Sequence, residues 1–261
     1  MNCGTHFDIF ADLTETITFF NFDTMKKFTK ILLMAALTVP FLISCSKDDN
    51  NGPTYSVLAT ILPYWNDAGF AVQMDDEKTM FPGKVRFNYK PKEDAQRAII
   101  AFSELNTPVQ GFTINADIFS IHEIETKDIE TALSEEDELG TDGIEVVEAY
   151  IGGGYLNIEF KVKVDPYDTD QKHVVSLVDN QIGGKPEYDT HYPLELRFKR
   201  AHAVNEGRAQ TVSNIACFYI GNYSLGSLGC EGYELKFKGI DGDADKDPDG
   251  KLNGSYKVSQ K

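Results

Sequence analysis

The sequence is poor in basic residues, in cysteine and in tryptophan. It holds 25 lysines and arginines against 41 aspartates and glutamates, so its formal net charge is −16. Such an acidic chain is repelled by the phosphates of nucleic acids and by anionic lipid surfaces. We therefore expect no nucleic-acid partner. Only four cysteines and one tryptophan occur among 261 residues, and the cysteine count excludes a disulfide-dense scaffold.

The sequence also has no apolar run long enough to span a bilayer. Its longest, Ile31–Ile43, has 13 residues and follows a start of Met25 and three lysines. A spanning helix needs about 20 apolar residues, so the pattern predicts a signal peptide at residues 25–44. Residues 1–24 are acidic and rich in phenylalanine where a signal peptide should begin. We predict that they are a spurious extension and that translation starts at Met25.

The signal peptide ends in a sequence that resembles the lipobox of bacterial lipoproteins. Signal peptidase recognition is predicted at Leu42, Ile43 and Ser44, and lipidation at Cys45, which would become the first mature residue. The alternative is an ordinary secreted protein with a chance cysteine at this position.

Residues 45–53 are polar and predict a flexible tether. The order Cys45-Ser-Lys-Asp-Asp49 resembles the export signal of surface lipoproteins in Bacteroidota. The alternative is that these residues are a solvated acidic linker, which can have the same composition. We expect a protein that is anchored by lipid in the outer membrane and exposed at the cell surface.

Two cysteines, Cys217 and Cys230, remain after Cys45. They leave two alternatives open. A disulfide between these two cysteines, which are 13 residues apart, would add about 3 kcal/mol of stability in an oxidising compartment. Alternatively, Cys217 is a small buried residue in a strand and Cys230 is a free thiol.

The rest of the chain predicts an all-β protein with two domains. Short alternating segments with turn residues between them predict a small five-stranded barrel at residues 54–128, with Ala95–Leu105 and Gly111–Ile124 as neighbouring strands. Helical spacing of apolar residues predicts a short helical linker at 129–139. Seven further strands predict an antiparallel, Ig-like β-sandwich at 140–261.

Several of these segments together resemble the NigD-like lipoproteins of Bacteroidota. The segments are Gln96-Arg97, Glu125–Ile129, Gly140–Ile144, Gly152–Phe160, His173 and Leu194–Phe198. The resemblance implies an N-terminal OB-type barrel joined to a C-terminal β-sandwich. It also implies a link to bacteriocin immunity, which was proposed for the gene cluster that gave the family its name, whereas most members have no assigned activity.

Motifs for catalysis are lacking. The histidines show no His-Glu-x-x-His spacing, and Gly152-Gly153-Gly154 is followed by a strand rather than by the helix of a phosphate-binding loop. We name no catalytic residue, predict a non-enzymatic protein without a cofactor, and single out His173 because the family pattern includes it.

One acidic segment has the chemistry of a cation site. Aspartates alternate along residues 241–250, and part of this run matches the first half of a calcium loop. The position that should hold a bidentate glutamate is Tyr256, so a solvated hairpin tip is the preferred interpretation and weak Ca²⁺ binding the alternative. The candidate ligands are Asp241, Asp243, Asp245, Asp247 and Asp249.

Three functions are therefore considered. The first is a lipid-anchored protein that binds an unknown protein or glycan without catalysis, and the second is self-protection against a bacteriocin. The third is the binding or processing of surface glycans, which is supported by the abundance of carboxylates and aromatic residues. Tyr64 and Trp65 are candidates for a stacking platform or for core residues.

Overall fold

A computed structural model describes residues 53–64, 69–134, 139–165, 167, 173–202, 207–240 and 252–259. These residues form an all-β structure, as predicted, with one 3₁₀ turn at Gly221–Tyr223 and one short helix, α1 (Leu225–Leu228). No helix among them is long and apolar enough to cross a membrane. The strands are β1 (Thr54–Pro63), β2 (Phe70–Met74), β3 (Thr79–Val85), β4 (Gln96–Glu104), β5 (Ile114–Glu123), β6 (Glu125–Asp128), β7 (Glu130–Ala132), β8 (Ile144–Gly152), β9 (Tyr155–Val164), β10 (Val174–Asn180), β11 (His191–Lys199), β12 (Gln210–Tyr219), β13 (Gly232–Phe237) and β14 (Gly254–Ser259).

Strands β1–β5 close into a barrel in the order β1-β2-β3-β5-β4, with β3 and β5 parallel. The period-two pattern of the sequence explains the closure, because alternate residues of each strand point inward and fill a small interior. This arrangement is the expected OB-type barrel. Its buried core consists of Ala59, Ile61, Phe70, Val72, Met80, Ala98, Ile100, Phe102, Ala116 and Ile118.

Strands β6–β14 form a sandwich of two sheets. One sheet has the order β14-β13-β11-β10-β7 and the other the order β6-β12-β9-β8. The predicted sandwich is therefore confirmed, although three of its strand pairs, β7–β10, β11–β13 and β6–β12, are parallel. Inward-facing residues of both sheets, such as Leu156, Leu177, Leu196 and Phe218, are buried in one continuous core.

The predicted helical linker at 129–139 is wrong where the structure describes it. Residues 125–128 pair with β12 in one sheet, and residues 130–132 pair with β10 in the other. Buried Ile129 lies at the crossing between the sheets. The apolar residues that suggested a helix instead allow one extended segment to pass from sheet to sheet, because strand pairing outweighs weak helical propensity.

An ion cluster on the barrel predicts a pH effect on stability. The Arg86 Nε and Nη2 atoms donate to the two carboxylate oxygens of buried Asp117, each at 3.0 Å. This hydrogen bond holds the pKa of Asp117 below its ordinary value of 3.8. A lowered pKa contributes stability at neutral pH that is lost as the pH falls through the folded-state pKa.

We therefore expect Asp117→Asn to be less stable than the wild type at pH 7 and to lose less stability on acidification. Urea unfolding at a series of pH values between 7 and about 2 measures both effects. The matched control is Asp94→Asn, which removes an exposed carboxylate of the same domain. Equal acid sensitivity of the wild type and Asp117→Asn would contradict the assignment.

Candidate functional sites at the domain junction and on the sandwich

The most elaborate polar site lies where the two domains meet, around Arg97. Its position near the start of β4 points the side chain out of the barrel, yet the residue is fully buried. Arg97 Nη1 and Nη2 donate to the two carboxylate oxygens of Asp75 at 2.7 and 2.8 Å, and Nη1 also donates to the hydroxyl of Thr60 at 3.0 Å. A bidentate pair of this kind fixes both distance and orientation.

The sandwich completes this site with the β8–β9 hairpin. Arg97 Nη2 donates to Oδ1 of Asn157 at 3.0 Å, and the Tyr150 hydroxyl donates to Asp75 at 3.1 Å. The turn approaches so closely that a Cβ on Gly153 would lie 2.6 Å from Asp75 Oδ1 and 2.7 Å from Arg97 Nη1. Gly153 also has φ +61°, a conformation that favours glycine.

The charge of Arg97 is retained in this buried place. Burial by itself would lower the pKa of Arg97, but the hydrogen bond and the charge of Asp75 outweigh it and raise that pKa. Burial also raises the pKa of the nearby Cys217 thiol, although the positive charge of Arg97 opposes the shift. Cys217 is therefore a protonated, inert thiol rather than a nucleophile.

Apolar side chains from both domains surround the charged groups. Leu58 and Ile99 on the outer face of β1 and β4 contact a cluster that includes Tyr155 and Cys217 of the sandwich. The Arg97 guanidinium lies 5.2 Å from the centre of the Tyr155 ring. This mixture of a largely buried ion pair and apolar packing is suited to holding two domains in one orientation.

A buried carboxylate, that of Asp179, lies near the end of β10 inside the sandwich. The hydroxyls of Tyr192 and Tyr223 donate to its two oxygens at 2.9 and 3.1 Å, and the Gln181 side chain adds a further hydrogen bond. Burial, together with the negative Asp179, raises the pKa of Tyr192. The cluster links the end of β10 to β11 and to the 3₁₀ turn from the inner side of the sheet.

On the outer side of the sheet, the same place opens as a groove. The β10–β11 ladder stops at Val178 and Glu195, although continued register would pair Asn180 with Pro193. On its other edge, β10 continues to pair with β7 as far as Asn180 and Ala132. Beside the end of this ladder lies a groove with a volume of about 350 Å³, lined by residues of β10, the β10–β11 loop, β11 and β13.

A proline explains why the strands separate. The Phe198 carbonyl accepts from the Asp142 amide on the side of β11 that faces away from β10. Alternate residues of a strand point their backbone groups to opposite sides, so Glu195 and Pro193 face β10. Pro193 has no N–H to offer Asn180, and a proline within a central strand ends the ladder at that point.

A smaller groove of about 190 Å³ adjoins the first, and both are lined by Pro193 and Lys236. At its edge, His191 Nε2 lies 3.0 Å from the Ser259 hydroxyl and Nδ1 lies 2.9 Å from the Thr190 hydroxyl. A hydroxyl thus occupies the place that a carboxylate takes in a catalytic triad. Because Thr190 cannot stabilise an imidazolium by charge, this arrangement is a hydrogen-bonded chain rather than a triad.

Most predicted site residues fall outside the described residues. This holds for the signal segment with Leu42, Ile43, Ser44 and Cys45, for Trp65, and for the aspartates of residues 241–250. In the part of the chain that the structure describes, no group of three or more His, Cys, Asp or Glu side chains is placed to hold a metal. His173 is described, and its ring packs against Phe198 at a centroid distance of 5.6 Å.

Cys217 and Cys230 do not form the disulfide that the sequence left open. Both are free, with Cys217 buried at the domain junction and Cys230 packed against the sandwich core. They contact different apolar clusters, so the alternative of a buried residue and a free thiol is the one observed.

Sequence reasoning missed the role of Arg97, Asp75 and Asn157. Arg97 and Asn157 were part of the family pattern, and the structure places them together at the junction. An arginine in an otherwise apolar strand was the only local signal. Asp75 lies in an acidic turn, and nothing in the local sequence indicated its role.

Comparison with known families gives two adjacent matches. Residues 58–124 match the model of the NigD-like N-terminal OB domain, and residues 125–247 match that of the NigD-like C-terminal β-sandwich domain. No curated protein matches the chain.

Solved structures from Bacteroides share the fold at low identity. A protein of unknown function from Bacteroides vulgatus is 18% identical with a TM-score of 0.63, covering 80% of this chain and 91% of that one. A NigD-like immunity protein from Bacteroides caccae is 19% identical with a TM-score of 0.52, covering 77% and 91%. A candidate lipoprotein from Bacteroides fragilis is 11% identical with a TM-score of 0.56, covering 80% and 98%. At these identities the likeness shows the fold alone.

Proposed function

Because the chain belongs to the NigD-like family, we propose that it is a cell-envelope protein that is anchored by lipid on Cys45 and acts by binding rather than by catalysis. The observation that carries this proposal is the use of its buried charges. Arg97, Asp117, Asp165 and Asp179 are all buried, and each is bonded to groups within the fold. An active site would need such groups to face a cavity, where they meet a substrate.

The anchor is supported by the sequence before the barrel. The lipobox-like segment and the polar residues 45–53 precede the first barrel strand directly, and a solved structure of the same fold is described as a candidate lipoprotein. The acidic chain would be repelled by anionic lipid headgroups, so a covalent lipid supplies the membrane affinity that the surface lacks.

Cys45→Ser tests the anchor. We expect the wild type to incorporate a clickable palmitate analogue and to partition into the detergent phase of Triton X-114, whereas the variant does neither. Cys230→Ser is the matched control, since it removes a cysteine elsewhere and should leave labelling unchanged. Labelling of Cys45→Ser at the wild-type level would overturn lipidation at this residue.

Exposure at the cell surface is tested on intact cells. External protease should remove the mature domains while a periplasmic control protein survives. Survival of both proteins would retire the surface location and place the protein inside the envelope.

A second candidate function is self-protection against a bacteriocin. It is supported by the fold shared with a protein described as a NigD-like immunity protein. Expression in a strain that is sensitive to a bacteriocin encoded beside the gene should raise the survival of that strain. Unchanged killing would remove this candidate and leave the binding proposal in place.

A further inference from the structure

The groove that opens at Pro193 has the features of a ligand site. We propose that it binds a saccharide that carries a carboxylate, such as a uronic acid residue. This inference rests on the proposed binding function and names a site and a ligand class for it. A volume of about 350 Å³ lies within the usual range for small-molecule sites, of about 300–1,000 Å³.

The charge of the groove favours an acidic ligand, although the whole chain is strongly negative. Glu195, the only carboxylate that lines the groove, accepts from Arg197 Nε at 2.9 Å and from Asn180 Nδ2 at 3.1 Å. Its charge is thereby balanced within the protein. Lys185 and Lys236 also line the groove, and neither forms an ion pair with a described residue. The residues that line this groove therefore carry a net positive charge, whereas the adjoining smaller groove carries the carboxylates of Glu187, Asp189 and Glu234.

The remaining surface favours a sugar over a simple anion. Pro186 and Pro193 contribute apolar pyrrolidine rings to the lining, and the C–H face of a pyranose can pack against such a surface. The oxygen atoms of Glu195 retain lone pairs that can accept from ring hydroxyls, while a lysine ammonium donates to a carboxylate. Ligand sites typically combine apolar contact surface with a few placed polar groups in this way.

The groove is lined partly by the β10–β11 loop, residues 182–186, and partly by strand residues that the fold holds in place. On its inner side, Asp179 is held by Tyr192 and Tyr223, which fixes the end of β10 after the ladder has stopped. On its outer side, Asn180 holds the Glu195 side chain. The strand side of the groove is therefore in place before any ligand arrives, which lowers the cost of ordering on binding.

The first test compares matched sugars. Saturation-transfer NMR and calorimetry on the full mature domains should detect glucuronate and galacturonate, with glucose and galactose binding at least tenfold more weakly. Acetate should bind no better than the neutral sugars. Equal binding of acidic and neutral sugars, or of acetate and glucuronate, would overturn the proposal, and so would the absence of binding by every probe. A short peptide that binds in place of the sugars would overturn the ligand class.

The second test uses variants of the groove. Lys236→Met should weaken glucuronate at least tenfold, whereas Lys161→Met, on the other sheet, should leave it unchanged. Pro193→Val restores an N–H towards β10, so we expect the new amide at residue 193 to be protected from hydrogen exchange, protection at residue 180 to increase, the melting temperature to rise and binding to be lost. Unchanged affinity in Lys236→Met would overturn the site. Neither result affects the lipidation of Cys45, so failure of the groove and failure of the anchor remain distinguishable.

Discussion

Arg97→Met is expected to lower the free energy of unfolding by about 3 kcal/mol, because it removes the fully buried member of an ion pair and leaves the largely buried carboxylate of Asp75 without its partner. The Asp75 carboxylate accepts hydrogen bonds from both Nη atoms of Arg97, and the single hydrogen bond from the Tyr150 hydroxyl cannot replace them. Asn157 and Thr60 lose a donor at the same time. Urea unfolding followed by circular dichroism measures the loss.

The same variant should also uncouple the domains. Hydrogen exchange read by mass spectrometry follows the barrel strands β1–β5 and the sandwich strands β6–β14 as two separate signals. The two signals should coincide in the wild type and separate in Arg97→Met. The double variant Arg97→Met/Asp75→Leu should recover part of the lost stability, because both charges are gone. A loss below about 1 kcal/mol in Arg97→Met, typical of an exposed pair, would contradict the role assigned to the junction.

Gly153→Ala is expected to destabilise the protein by at least about 3 kcal/mol. An L-residue in the left-handed region costs about 1–2 kcal/mol by itself. The new methyl group would also lie within 2.7 Å of both Asp75 and Arg97, so the ion pair must move apart. Thermal and urea unfolding measure this loss.

The neighbouring glycine supplies a matched control. Gly154 also has a positive φ, +83°, but a Cβ there would come no closer than 4.0 Å to its nearest neighbour, the Tyr219 ring. Gly154→Ala should therefore lower the free energy of unfolding by only the backbone cost of about 1–2 kcal/mol. The difference between the two variants isolates the steric conflict with the junction. Equal losses would mean that the hairpin tolerates a methyl group beside Arg97.

Strand positions were largely predictable, because alternation of apolar and polar residues is a local property. The predicted strand Ala95–Leu105 is β4, and the strands predicted in the second half correspond to β8–β14. The wrong prediction of a helical linker at residues 129–139 also came from relying on a local pattern. A spacing of apolar residues that suits a helix also suits an extended segment that crosses between two sheets, and only the partners β10 and β12 decide between them.

The sequence by itself determined the family, the all-β class and the predicted route to the envelope, since these depend on periodicity, composition and short contiguous motifs. Only the tertiary structure decided what Arg97 and Pro193 do. Arg97 contacts Asp75 and Asn157, which lie 22 and 60 residues away. Pro193 opens a groove because its missing N–H faces β10, a direction that depends on sheet order. Burial and hydrogen-bond partners are properties of the folded chain, so no local pattern can specify them.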